Sequence, residues 1–194
     1  MKEIYSFLPD ISASLRFLND RGSRKKICLD IGAGKGENSK FLLDRGWSVK
    51  LIEKDLLKAE NLLELIKKYG EKAEIIEKDF VNWDMKKNIF SLVLCTNVFH
   101  FIKKEHYTEC FKKIINAISP GGIAIFSILT PNSLNKPEGF VNGLYLEEVK
   151  EFFKELDFLH SEVFETKSGQ NIAFLTVFKP IGFLRRLLEK IFYK

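Results

Sequence analysis

Apolar residues along the chain arrive in short blocks separated by amphipathic stretches. Ile27–Ile31, Val49–Ile52, Ala73–Ile76, Phe90–Cys95 and Ile123–Ile128 are blocks of strand length. Between them lie stretches with a helical period. One carries Phe41, Leu42 and Leu43 and stops at Gly46. A second, residues 55–69, mixes Leu with Lys and Glu and stops at Gly70. A third, residues 103–118, is broken by Pro120-Gly121-Gly122. Ahead of this rhythm, Ile4, Phe7, Leu8, Ile11, Leu15 and Leu18 predict a helix over roughly 10–20, with Pro9 interrupting the pattern before it. Strand and helix in alternation predict an α/β fold: a three-layer sandwich around a mostly parallel sheet. The unbroken apolar content of the first, fourth and fifth blocks fits burial on both faces. The last third differs. A helix is predicted over 145–156, followed by strands at Phe158–Lys167 and Asn171–Lys179. The polar turn Lys167-Ser168-Gly169-Gln170 between them predicts an antiparallel hairpin at the end of the sheet.

Composition narrows the picture modestly. The chain has 194 residues, 45% hydrophobic and 29% charged, which fits one folded domain without disulfides or metal. Its 18 Phe residues predict either a well-filled aromatic core or an aromatic-lined pocket. Net charge is +5, with Lys and Glu interspersed, so a solvated surface is the reading and no nucleic-acid partner is expected. Cys28, Cys95 and Cys110 have no metal-ligand spacing. They point to free thiols in a reducing cytoplasm. No signal peptide or membrane-spanning helix is expected.

The chemistry concentrates where blocks end. Leu29-Asp30-Ile31-Gly32-Ala33-Gly34-Lys35-Gly36 runs from a strand through a glycine loop into a helix. Such glycines allow a tight turn and a close approach of backbone to ligand. A dinucleotide fingerprint needs its third glycine one position later, where Glu37 stands. A phosphate-cradling loop needs a Gly-Lys-Ser/Thr ending, which is absent. Glu53, with Lys54 beside it, ends the second block and faces the same crevice, where a carboxylate can accept both hydroxyls of a ribose. Asp79 and Phe80 follow the third block. Asp79 can accept an adenine amine while Phe80 packs beside the ring, or it can cap a turn. Thr96 and Asn97 end the fourth block at the carboxyl edge of the sheet. His100, nearby, is a candidate acid or base, with a packed position between Phe99 and Phe101 as the other reading.

Leu29–Gly36, Glu53, Asp79, Phe90–Thr96 and Pro120-Gly121-Gly122 resemble, in order and spacing, the motif series of class I S-adenosylmethionine-dependent methyltransferases. The resemblance spans about residues 27–180. Asp30–Ser39 is similar to the loop of tellurite-resistance (TehB-type) methyltransferases, a small-molecule branch, although Lys35 and Glu37 depart from that loop's pair. The resemblance implies a Rossmann-like fold with strand order 3-2-1-4-5-7-6 and strand seven antiparallel. It implies S-adenosylmethionine as cofactor and S-adenosylhomocysteine as product. Asp30, Gly32, Ala33, Gly34 and Gly36 would hold the methionine and ribose side. Glu53 and Lys54 would meet the ribose, Asp79 and Phe80 the adenine, and Thr96 the methionine amino group. No metal is implied.

The acceptor side rests on Tyr5, Asn97, His100 and Tyr145 as candidate substrate residues, and on residues 130–144, read as a substrate-side loop. The expected organisation is one domain over 1–180 with an N-terminal helical cap at 1–24. A basic amphipathic helix is expected over 181–194, placed against its own domain or a second subunit, with a membrane surface as the other reading. The function expected is methyl transfer to a small molecule. An RNA or protein methyltransferase and a non-catalytic cofactor-binding module are the alternatives.

Overall fold

The computed structural model describes residues 8–20, 25–56 and 60–182. Tyr5 and the expected tail helix beyond Gly182 lie outside these residues. The helices are α1 (Leu8–Asp20), α2 (Glu37–Leu43), α3 (Glu60–Tyr69), α4 (Tyr107–Ala117) and α5 (Leu146–Phe152). The strands are β1 (Ile27–Ile31), β2 (Ser48–Glu53), β3 (Ala73–Glu77), β4 (Phe90–Thr96), β5 (Ile118–Leu129), β6 (Asp157–Glu165) and β7 (Asn171–Phe178). They form one seven-stranded sheet in the order β3-β2-β1-β4-β5-β7-β6. The pairs from β3 to β5 are parallel, while β7 runs antiparallel to both β5 and β6. The expected α/β sandwich with a terminal hairpin is therefore the observed fold.

The alternation of side chains along each strand divides the core in two. Leu29 and Ile31 of β1, Val93 and Cys95 of β4, and Ala124, Phe126 and Ile128 of β5 face α4 and α5. Cys28, Leu92, Leu94, Ile123 and Ile125 face the opposite layer, with Leu15 and Leu18 of α1, Leu42 of α2 and Leu62 of α3. The Phe content goes mainly into the first of these layers. Phe99 and Phe152 lie against Phe111 at ring separations of 4.3 and 4.1 Å. Phe126 and Phe153 each lie 5.2 Å from the same ring. Each such buried ring contributes about 1.5–3 kcal/mol of apolar burial.

Two boundaries differ from the sequence expectation. β5 begins at Ile118, ahead of the Pro120-Gly121-Gly122 break, because those residues form an irregularity within the strand. Gly121 takes φ +83, and a Cβ on Gly122 would lie 3.0 Å from Phe90 O. The glycines thus let the strand bend without leaving the sheet. α5 ends at Phe152, several residues early, because Phe153 and Leu156 turn inward and are buried. The turn is closed by the Leu156 N–H donating to Phe153 O at 2.8 Å. Among the described residues, no helix is long and apolar enough to cross a membrane. No group of three or more His, Cys, Asp or Glu side chains among them could hold a metal ion.

Candidate active site

The carboxyl ends of β1 to β4 meet in a crevice of about 850 Å³. This is where open α/β sheets bind ligands, since the strand order reverses on either side of β1. Gly32 leaves β1 with φ +65. The Gly32 and Ala33 N–H groups donate to Ile52 O at 2.8 and 3.1 Å, which straps the end of β1 to β2. A Cβ on Gly32 would stand 2.5 Å from Val98 Cγ2, so the loop lies hard against the turn after β4. Gly34 has φ +53, and the nearest atom to a Cβ built there is Gly32 O at 3.9 Å. That side chain would project into the crevice, so glycine keeps a cradle open for a ligand. Gly36 serves differently. Its Cβ would meet Leu62 and Leu65 at 2.5 and 2.8 Å, so its absence lets α2 start against α3.

Glu53 is the hinge of the site. Its Oε2 accepts the Gly34 N–H at 3.0 Å. Its Oε1 accepts from the N–H groups of Lys54 at 2.9 Å and Asp55 at 3.1 Å. A carboxylate has about four lone-pair positions, so a free one remains for a hydroxyl. Asp79 accepts the Val81 N–H at 2.9 Å through Oδ1 and caps a short 3-10 turn over Phe80–Asn82. Its capping role and its crevice position coexist, because Oδ2 stays available. Phe80 is buried beneath the same wall.

Thr96 and Asn97 complete this side of the crevice. Asn97 is held at φ +59, and its N–H donates to Ser127 O at 3.0 Å and to Ser127 Oγ at 3.2 Å. The Ser127 hydroxyl in turn donates to Asn97 Oδ1 at 3.3 Å. Gly32, Gly34, Glu53, Lys54, Asp79, Phe80, Thr96 and Asn97 therefore share one crevice. Asp30 lies beneath it, 2% exposed, where Ser39 Oγ donates to its Oδ2 at 2.6 Å. Burial pushes its carboxyl up to about 6, against the Ser39 bond, with the Glu53 charge adding to the rise.

Residues 28–122 match a protein family described as "Methyltransferase domain". Over that segment, just under half of its length, the chain is similar to a methyltransferase domain. It is 25% identical over 141 residues to an uncharacterized methyltransferase of Geobacillus thermodenitrificans, a match covering 73% of this chain and 63% of that protein. The chain thus spans less than two thirds of that relative's length. The methyltransferase fold is similar to that of Burkholderia thailandensis 1,6-didemethyltoxoflavin-N1-methyltransferase, with TM-score 0.70 and 19% identity over 87% of this chain and 77% of that one. TehB from Haemophilus influenzae matches with TM-score 0.69 and 20% identity, over 84% of this chain and 61% of TehB.

The rest of the crevice lining holds residues that the sequence did not single out as candidates. Phe101, Ile102, Lys103 and His106 follow β4, and Glu138 and Gly139 come from the 130–144 loop. Phe101 is 39% exposed, large for an aromatic ring in a Phe-rich core. Its signal in the sequence was the polar run Lys103-Lys104-Glu105-His106 beside it, which marks the chain leaving the interior.

Two candidates stand elsewhere. His100 is 2% exposed and does not line the crevice. Its Nδ1 is buried without a hydrogen-bond partner, and burial pushes the imidazole down to about 4. The ring is packed, neutral and away from the crevice lining, the arrangement of the packed reading. Tyr145 is 52% exposed, starts α5 and likewise does not line the crevice. Its N–H donates to Glu148 Oε2 at 2.8 Å, a helix-start arrangement.

Proposed function

We propose that this protein transfers the methyl group of S-adenosylmethionine to a small-molecule acceptor. The observation that carries the reading is the Gly34–Glu53 bond, which joins the open glycine cradle to a ribose-accepting carboxylate in the crevice that also holds Asp79 and Thr96. The cradle fits the cofactor, since no side chain at Gly34 fills the space its amino-acid end would take. Glu53 is pinned by three N–H groups yet keeps acceptor capacity for a ribose hydroxyl. Asp79 Oδ2 would take the adenine amine above Phe80. Thr96 would meet the methionine ammonium.

The cofactor supplies a methyl carbon already activated on a sulfonium. Gly34, Glu53, Asp79 and Thr96 would hold the donor so that an acceptor lone pair could take that methyl group, with S-adenosylhomocysteine as the leaving group. The chain therefore has to align the two partners and exclude water rather than provide a nucleophile. Phe101, Ile102 and Gly139 form an apolar acceptor wall, with His106 and Glu138 as the polar groups available to an acceptor's proton. The apolar residues Phe101 and Ile102 in the crevice lining support a small acceptor over an RNA or a protein. The buried free thiols Cys28, Cys95 and Cys110 support a reducing, cytoplasmic setting.

Calorimetry with S-adenosylmethionine and S-adenosylhomocysteine tests the reading, with NAD as the control ligand. The wild type is expected to bind the first two and not NAD. Glu53→Ala should weaken binding at least about tenfold, a loss of about 1.4 kcal/mol. Binding by Glu53→Ala equal to wild type would overturn the cofactor geometry. Binding of cofactor without transfer to any small acceptor would favour a non-catalytic module.

A further inference from the structure

Among the described residues, the buried side-chain nitrogen or oxygen left without a hydrogen-bond partner is His100 Nδ1. The His100 main chain and ring both meet the 130–144 loop. The Val141 and Asn142 N–H groups donate to His100 O at 2.8 and 3.3 Å. The imidazole lies against Phe140 in a stacked arrangement, 6.1 Å between centroids and 19° between planes, and its centroid is 4.2 Å from that of Phe101. One residue earlier, a Cβ on Gly139 would come within 3.8 Å of the Phe101 ring, so the loop backbone rides over that ring. The same stretch delivers Glu138 and Gly139 to the crevice.

The two arms of the loop are anchored in different places. The first is tied to the β6–β7 hairpin, where Ser133 Oγ donates to Asn171 O at 2.7 Å and Gln170 Nε2 donates to Asn135 O at 2.7 Å. Among the described residues, the hydrogen bonds that fix the 136–142 arm to the rest of the fold go to His100 O. We propose that His100 is a positioning residue: it docks the 136–142 arm as a releasable wall over the acceptor half of the crevice, separately from the cofactor half. This rests on the reading of the crevice given above.

The choice of histidine gives the dock its strength. A Phe at this place would offer the same flat face with no polar atom. The imidazole instead buries Nδ1 with no partner. In the docked arm that nitrogen has lost its water, and on release water restores it, so the docked state is weakened relative to an all-carbon ring. The ring stays neutral there, since burial holds it well below the ordinary histidine range. The wall is thus fixed well enough to shape an acceptor and loosely enough to admit one.

Hydrogen exchange of the full chain, read at the Val141 and Asn142 amides, tests this together with S-adenosylhomocysteine calorimetry. His100→Ala removes the plate and should speed exchange in 136–142 at least tenfold. His100→Phe should restore protection and exceed that of the wild type. S-adenosylhomocysteine affinity should stay within twofold in both, and β1 and β4 amides should be unaffected. Phe140→Ala, which removes the stacking partner from the loop side, should loosen the same amides and guards against a misfolded His100 variant. Unchanged exchange in His100→Ala and Phe140→Ala would overturn the dock. So would faster exchange spread over the whole sheet, which would make His100 a plain core residue. Failure of the wild type to bind S-adenosylhomocysteine would sink the cofactor reading alone, because the exchange order reports on the dock without any ligand.

Discussion

At Asp30 the chain keeps a carboxyl group under the glycine loop with almost no water. Its acidity is pushed up to about 6 from 3.8, chiefly by burial. A raised carboxyl means the folded state holds the proton more tightly than the unfolded chain does. Ionised Asp30 is therefore a cost to folding above about pH 6, and the cost fades as pH falls through that value toward 3.8. Asn at this position still accepts the Ser39 hydroxyl and carries no charge. Asp30→Asn is expected to be more stable than wild type at neutral pH by up to about 3 kcal/mol, with the difference vanishing near pH 4. Urea unfolding at the two pH values checks it; a variant less stable than wild type at neutral pH would refute the argument. The places of Gly34, Glu53 and Asp79 in one crevice were legible because strand ends and glycine spacing fix where those residues go. For Asp30, Gly36 and His100, burial and packing decide whether the residue touches a ligand or only supports what does, and spacing along the chain does not carry that information. Gly36 makes the point: its missing Cβ is demanded by Leu62 and Leu65, on a helix distant in sequence.

Elements were legible where hydrophobic period and length agreed, as in β1, β4 and the β6–β7 hairpin. They were misjudged where a local breaker was absorbed by the sheet, as at Gly121 and Gly122, or where core demand ended a helix early, as at Phe153. The 130–144 loop was legible as a loop from its Pro, Asn and Gly content, but not as a part with two anchors. That division yields a prediction. Deleting residues 133–142 removes Glu138 and Gly139 from the crevice and the ties from Ser133 and Asn135 to the hairpin. Cofactor affinity should change less than about threefold, because Gly34, Glu53 and Asp79 are held by β1, β2 and β3 alone. Methyl transfer should be lost, because the acceptor wall is gone. Calorimetry and a methyl-transfer assay on the same preparation separate these; a large loss of cofactor binding would mean the loop also shapes the cofactor half.

The molecule as a whole divides its labour between the two ends of one sheet. The crevice-lining residues collect at the carboxyl ends of β1 to β4, and the opposite end closes the structure. There Lys179, 4% exposed, follows β7 and reaches back beneath the sheet. Its Nζ donates to Asn88 Oδ1, Ile115 O and Ile118 O, each at 2.9 Å. Two of those carbonyls are at the end of α4, where an unpaired C=O most needs a cation. The Lys179 main chain adds a bond in each direction, its N–H donating to Gly122 O at 2.9 Å and its O accepting from Gly121 at 2.7 Å. One residue thus ties the hairpin, the β5 irregularity and the end of α4 together. Lys179→Met keeps the aliphatic stem and leaves three acceptors, one buried and two part-buried, without that donor. The expected loss of stability is about 3 kcal/mol, by the cost of orphaned buried polar groups. Cofactor affinity should be unchanged, because the crevice lies across the full length of the strands from the lysine. Urea unfolding and calorimetry measured together decide the matter. A stability loss under about 1 kcal/mol would mean water replaces the ammonium at the three acceptors. A parallel fall in cofactor affinity would mean the two ends of the sheet are coupled rather than independent.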